Sequence, residues 1–560
     1  MSNKHKIFLA SILLLAAVLR LMALGSDELT FDEGFYSFRS IGYLDYLESA
    51  AQTTPVQWLA PTVPSGLTDK PDLLAVNEVE LPPWLKLSFH DHPPLFFLSQ
   101  HIFFKTFGNS LLVSRLPSAL AGVGSVALIF LIVRLLLKNE TAGLAAAFLG
   151  AINFSAISVS RLGMMESVLI FFVLVNIYFF LKFLRDKKYW WQFGLTLGLA
   201  FLAKYVAFFL IPTYFVYLLI YRRDLFQNRQ LYLSLAWVIV IFSPVIIYNI
   251  YSYKTFSHFD LQFGYLFGQE LPWDTTTGGK AQEPFSNIFE NLLAIYSLPF
   301  LIISVMGLAL ALKARKFREE TTLMILAVLF TTLLLTIIGS AIRFVSLYII
   351  PTIFFTTFVF IYLYDHYVQH SVLDINRNKK PALVLAGLFL AYETFFTINL
   401  TFINPPDYGV VKLDKYFDSV FGGGRSEAAP SHPNPYLNKV IQKYALQTPI
   451  KLTQPTGIIY DDNIALSPSL WLFSRRQYYQ GIPIMSASIF EEKIKNNPTA
   501  FFGLELYFVK AEPASPLKLT GRIDSAQQVE NSLKSKINPT TIKTSNDVIA
   551  FKVYKFSLKN

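Results

Sequence analysis

The stretch Thr30-Phe31-Asp32-Glu33-Gly34-Phe35-Tyr36 decides how this chain is read. Two adjacent carboxylates stand just beyond the first long apolar run, residues 7–24, where a membrane helix would leave the bilayer. That run is about 18 residues long, enough to cross the hydrocarbon. It contains Arg20 and lacks a clear small-residue cleavage site, so it reads as a retained anchor. Acidic residues at a helix end are commonplace as a solvated cap. Here Phe31, Phe35 and Tyr36 flank the pair, and a carboxylate near apolar material at the membrane boundary is costly unless paired or used. Asp32 is therefore a candidate general base for a hydroxyl proton, with Glu33 as its catalytic neighbour.

Working outward, 53% of the 560 residues are hydrophobic, 16% aromatic and only 15% charged. Repeated long apolar runs define a polytopic membrane protein. The net charge of +10 would suit nucleic acid in a soluble protein. Here the basic residues cluster in short loops between apolar runs, a topology signal instead. The absence of cysteine excludes disulfides, thiolate catalysis and cysteine metal sites.

Lys4 and Lys6 put the N-terminus in the cytoplasm. Further spans are expected at 115–137, 141–159, 167–184, 189–204, 205–221, 231–251, 287–312, 321–339, 343–364 and 381–400, giving about eleven in all, with the basic clusters on one side. Residues 95–107 are apolar but short for a span and suit an interfacial or re-entrant helix. Large outer loops fall at about 25–114 and 252–286. From residue 401 the composition changes. Gly422-Gly423-Gly424 with Pro430, Pro433 and Pro435 make a flexible entry. Strands are expected at 457–460, 501–509 and 548–556, and helices at 491–497 and 525–535. The expected fold is an all-α polytopic membrane domain, 1–400, followed by an extracytoplasmic soluble α/β domain, 401–560, large enough to fold alone.

The other polar residues without an obvious structural task lie on the outer side. His90-Asp91-His92-Pro93-Pro94 holds two imidazoles and a carboxylate, candidates for a divalent metal. The blander reading is a polar turn set by the diproline. Arg161 and Glu166 flank the outer ends of two spans. A salt bridge between them is one reading; the other has Glu166 holding an acceptor or metal, with Arg161 orienting it. Lys204 and Arg343 lie near the outer ends of apolar runs. Snorkelling is the default for such cations, and a pair gripping a phosphate diester at the bilayer surface is the alternative.

Taken together, these motifs resemble the GT-C glycosyltransferases of the protein O-mannosyltransferase and lipid A aminoarabinose transferase group. The matching stretches are Phe31-Asp32-Glu33, His92-Pro93-Pro94-Leu95, Phe107-Gly108, Arg115-Leu116-Pro117-Ser118, residues 160–167, Phe201-Leu202-Ala203-Lys204-Tyr205 and Arg343-Phe344. They run in order over residues 5–360, and the soluble domain is not covered. The resemblance implies transfer of a sugar from a polyprenyl-phosphate carrier on the outer face, with inversion. It aligns Asp32 with the catalytic acid of the first loop, Glu166 with the acid of the second outer loop, and Arg343 with an arginine assigned to the carrier phosphate. His92, Arg161 and Lys204 are expected at substrate. Phe344 replaces the tyrosine of the family's Arg-Tyr motif, removing a hydroxyl contact.

The chemistry fits this reading. A phosphate-linked sugar carries its own leaving group, and no phosphate-cradling loop is visible: Gly422-Gly423-Gly424 is not followed by Lys-Ser/Thr. No cofactor is required beyond a candidate divalent metal. The expected partners are a lipid-linked donor, the membrane, and a lipid, glycan or protein acceptor, in a prokaryotic plasma membrane. Two other readings are an oligosaccharyltransferase, whose Trp-Trp-Asp signature is absent from 401–560, and a flippase or transporter without covalent chemistry.

Overall fold

The computed structural model describes residues 1–44, 92–257, 259–269, 286–364, 379–426, 435–519, 525–534 and 536–558. Among them, seven helices are long and apolar enough to cross a membrane, and two bent pairs bring the number to nine. The chain is an integral multi-pass membrane protein. Of the eleven expected spans, the remaining two are shorter. Trp190–Ala203 has 14 residues, or about 21 Å of helix. Tyr205–Tyr221 is a 3-10 turn, Tyr205–Phe209, running into an α-helix, Leu210–Tyr221.

Two spans are broken where the sequence places a cap. Residues 287–312, expected as one straight helix, form Ser286–Ile295 and Leu298–Lys313, bent by 114°. The Ser297 side chain accepts the Phe300 N–H at 3.1 Å, and Pro299 occupies the first turn of the second helix, where its missing donor costs nothing. Glu140–Ile152 and Phe154–Ser160 meet at 57° across Asn153, which caps Ala156 at 3.2 Å.

The segment after the first span is structured where it is described. Phe31–Ile41 is a helix that begins on the sequence Thr30-x-x-Glu33, a capping-box pattern; the Thr30 N–H reaches Glu33 at 3.4 Å. Leu95–Phe107 is the short helix expected there. The next span starts at Leu111, earlier than expected, because Ser110 caps it.

The C-terminal domain is built on a five-stranded sheet in the order β2-β1-β3-β5-β4. β1 (Thr456–Tyr460), β3 (Glu505–Ala511) and β5 (Ile549–Ser557) correspond to the expected strands, and β2 (Ile484–Ser486) and β4 (Thr540–Lys543) are additional. β1 pairs in parallel with β2 and β3, while β5 runs antiparallel to β3 and β4. Residues 501–504 precede β3 rather than belonging to it, because Pro498–Phe501 coils into a 3-10 turn.

This domain is welded to the segments between the first two long spans. Leu29, Ile41, Phe104, Leu111 and Val113 share one hydrophobic cluster with Val410, Phe417, Trp471 and Tyr507. The buried Glu28 carboxylate accepts N–H bonds from Tyr408, Val410 and Val411, at the start of the helix Val410–Phe421. Arg475 donates to the Asn109 carbonyl at 2.7 Å. Within the domain, burial alone would raise the Glu530 carboxyl, but hydrogen bonds from Lys510, Tyr554 and Lys534 outweigh it and bring it down to about 2. A depressed carboxyl stabilises the fold above its unfolded value, and that contribution is lost as pH falls from about 4.5 through about 2. The domain's unfolding temperature is accordingly expected to fall across that window. Glu530→Gln should lower it at pH 7 and flatten the acid-side decline in a thermal melt.

Candidate active site

The Phe31–Ile41 helix turns about 100° per residue, so three consecutive positions face three directions. Asp32 faces Arg343: its Oδ2 lies 2.6 Å from Nη1, and both side chains are about one-third exposed, at 34% and 32%. Glu33 faces the membrane domain and is fully buried. Its oxygens take Arg115 Nε at 2.6 Å and Nη2 at 2.8 Å, and the Gly163 N–H at 2.6 Å. Gly34 faces the C-terminal domain, against Ser467.

Arg115 spends all five donors on this arrangement. Besides the Glu33 carboxylate, it donates to the carbonyls of Leu24, Asp27 and Glu28 at 2.7–2.9 Å. Glu33, expected to share the chemistry with Asp32, is thus directed away from it into a saturated pair that holds three segments together.

Arg343 leads from Asp32 inward. Its Nε lies 3.3 Å from Glu166 Oε1, and the same oxygen receives Lys204 Nζ at 2.6 Å. Glu166 and Lys204 are both buried. The result is a ladder of alternating charge, Asp32–Arg343–Glu166–Lys204, running from a partly exposed carboxylate to a buried ammonium. Its two cations share one ring: Lys204 Nζ is 4.6 Å and Arg343 Cζ 4.9 Å from the centre of Phe344. Both distances suit cation–π attraction. The phenylalanine that replaces the expected tyrosine therefore supplies a π-face that spaces the two cations.

Local structure places each member. Glu166 is in the first turn of Met165–Arg185, where an anion faces the positive helix end. Lys204 ends Trp190–Ala203 and precedes the 3-10 turn Tyr205–Phe209, and Arg343 likewise precedes the 3-10 turn Phe344–Tyr348. Each turn then runs into an apolar helix. A narrow apolar crevice is lined in part by Phe209, Leu210, Leu347 and Ile350, four to seven residues after the two cations in sequence.

His92 sits beside the same helix face. Its Nε2 is 3.4 Å from the Tyr36 hydroxyl, and Tyr36 lies one helical turn from Asp32. His90 and Asp91, the other metal candidates, fall outside the described residues. No group of three or more His, Asp or Glu that suits a metal occurs among the described residues.

Arg161 does not pair with Glu166. It grips Asp27 through two bonds, at 2.7 and 2.8 Å, and donates to the carbonyls of Leu19 and Met22 at the end of the first helix. It also lies over the Phe402 ring at 4.9 Å. These contacts make it a clasp between its own turn and the turn that follows the first helix. The Arg115–Glu33 pair was missed in the sequence, although Arg115 stands at the head of an apolar run, where a cation demands a partner.

Residues 91–248 match the family described as dolichyl-phosphate-mannose-protein mannosyltransferase. Two proteins of Bacillus subtilis (strain 168), both provisionally named as mannosyltransferases, are similar. YkcB is 29% identical over 211 residues and YycA 32% over 208, each alignment covering 34% of this chain. The alignments span only 28% and 29% of those relatives' own length. The crystal structure of ArnT from Cupriavidus metallidurans bound to undecaprenyl phosphate superposes with a TM-score of 0.52 at 14% identity, covering 98% of this chain and 97% of that one. The fold is that of the GT-C glycosyltransferases. Within that fold, only residues 91–248 are similar to the dolichyl-phosphate-mannose-protein mannosyltransferase family.

Proposed function

We propose that this chain transfers a monosaccharide from a polyprenyl-phosphate carrier to an acceptor hydroxyl, with inversion, on the extracytoplasmic face of a prokaryotic plasma membrane. The ladder Asp32–Arg343–Glu166–Lys204 carries the proposal, because it sets one accessible carboxylate beside two cations. The carrier bound to ArnT supports the same donor class. The N-terminus lies in the cytoplasm and the C-terminal domain outside it.

The donor enters laterally from the bilayer, with its phosphate at Arg343 and Lys204. The phosphate competes with Asp32 for the Arg343 fork and so releases the carboxylate toward the acceptor. The acceptor oxygen attacks the anomeric carbon as the bond to the phosphate oxygen breaks. The hydroxyl proton passes to Asp32, and the electron pair leaves with polyprenyl phosphate, whose charge is met by the two cations. Glu166 keeps Lys204 and Arg343 together before the phosphate arrives. His92, through Tyr36, lines the acceptor side.

The test is transfer from a labelled lipid-phosphate sugar, with the anomeric configuration of the product read by NMR. One inverted product supports the proposal; retention, or lipid movement without product, contradicts it. Arg343→Lys keeps the charge but loses the planar fork. It is expected to lower kcat/KM for the donor at least tenfold, as measured by initial rates. Of the three metal candidates His90, Asp91 and His92, His92 alone lies among the described residues. Transfer is expected to persist in EDTA, since Arg343 and Lys204 already face the leaving phosphate.

A further inference from the structure

Gly34 touches the C-terminal domain so closely that no other residue fits. A Cβ built there would lie 2.2 Å from the Ser467 carbonyl oxygen and 2.7 Å from its hydroxyl, where ordinary contact begins at 3.4 Å. The Ser467 hydroxyl also accepts the Phe35 N–H at 3.3 Å. Four residues on, Phe38 meets Tyr478 edge-on, with centroids 6.2 Å apart. The helix is therefore held along one side by Leu466–Gln480 of the C-terminal domain. On its other side it is held by the membrane domain, through Glu33–Arg115 and through Ser40, which donates to Gln100 at 2.6 Å. Asp32 points out of the remaining side.

We infer that the Ser467 turn of the C-terminal domain is a positioning part of the site, setting where the Asp32 carboxylate stands relative to Arg343 and the donor. The inference rests on the transferase reading above. In physical terms, the helix is clamped between two bodies, and the clamp closes on a glycine because only backbone-to-backbone contact brings the two near enough. A methyl at Gly34 must push the surfaces apart by about 1 Å, and a misplacement of that size at a reacting group costs about a hundredfold in rate.

The experiment compares full-length wild type, Gly34→Ala and Ser467→Ala by steady-state transfer, with donor concentration varied and thermal unfolding measured on each. Gly34→Ala is expected to lower kcat about a hundredfold while leaving the donor KM within twofold, because Arg343 and Lys204 are untouched. Ser467→Ala removes one hydrogen bond and keeps the close backbone contact. It should fold as wild type and lose only a fewfold in kcat. Both variants active at the wild-type rate would overturn the inference, as would a donor KM that rises in step with the fall in kcat. If Gly34→Ala does not fold, Ser467→Ala decides: a fewfold fall in kcat at constant KM supports the inference, and no change overturns it. Wild type that transfers no sugar would instead overturn the transferase reading, so the two failures are distinguishable.

Discussion

Asp32→Asn is expected to fold normally and to lose at least a thousandfold in transfer rate. Asparagine keeps the shape of the side chain and its place at the start of the helix, so stability should change little. What it loses is the capacity to take a proton. General-base catalysis contributes about 10²–10⁴-fold, and Asp32 is the carboxylate the ladder leaves partly exposed, 2.6 Å from Arg343. The substitution also frees Arg343 from its ion pair. Donor binding should therefore hold or tighten while kcat collapses, a split that initial-rate kinetics over a range of donor concentrations will show. Equal loss in kcat and in donor affinity would instead assign Asp32 to binding.

Glu33→Gln, one residue away, should do the opposite and fail through stability. It leaves the Arg115 guanidinium at 0% exposure without its anion. Breaking a buried pair by removing one partner costs about 3–5 kcal/mol. That is a large fraction of the stability of an ordinary fold. The expected results are low yield in detergent and a strongly lowered unfolding temperature. Replacing both partners, as Glu33→Leu with Arg115→Met, should be less harmful than Glu33→Gln but should not restore wild type. Arg115 also satisfies the carbonyls of Leu24, Asp27 and Glu28, which methionine cannot do.

The contrast between these neighbours shows how far the sequence could be read. Asp32 and Glu33 look equivalent in a one-dimensional string, and only the start of a helix at Phe31 separates their directions by about 100°. Thr30-x-x-Glu33 announced that start, yet the segment read as loop because its flanks are rich in proline and polar residues. Lys204, Glu166 and Arg343 could be placed on one side of the membrane from the pattern of basic loops, and the structure brings them into contact with one another. The partner of Arg161 could not be chosen the same way. Asp27 follows a long apolar run and Glu166 a turn near Arg161 in the string, and the clasp to Asp27 depends on the turn after the first helix. The breaks at Asn153 and Ser297 were visible as capping residues but were outweighed by continuous hydrophobicity, which carries no information on bending. In the C-terminal domain β2 and β4 have three and four residues, too short for a period of two to show. The contact of Gly34 with Ser467 joins positions more than four hundred residues apart, and no local pattern encodes it.

The most direct test is to give purified wild-type protein a series of labelled polyprenyl-phosphate sugars, beginning with mannose, and to measure release of polyprenyl phosphate. The account predicts release with at least one of them, with the sugar recovered on an acceptor or on water. A well-folded preparation that releases no polyprenyl phosphate from any of them, with acceptors present, would contradict it.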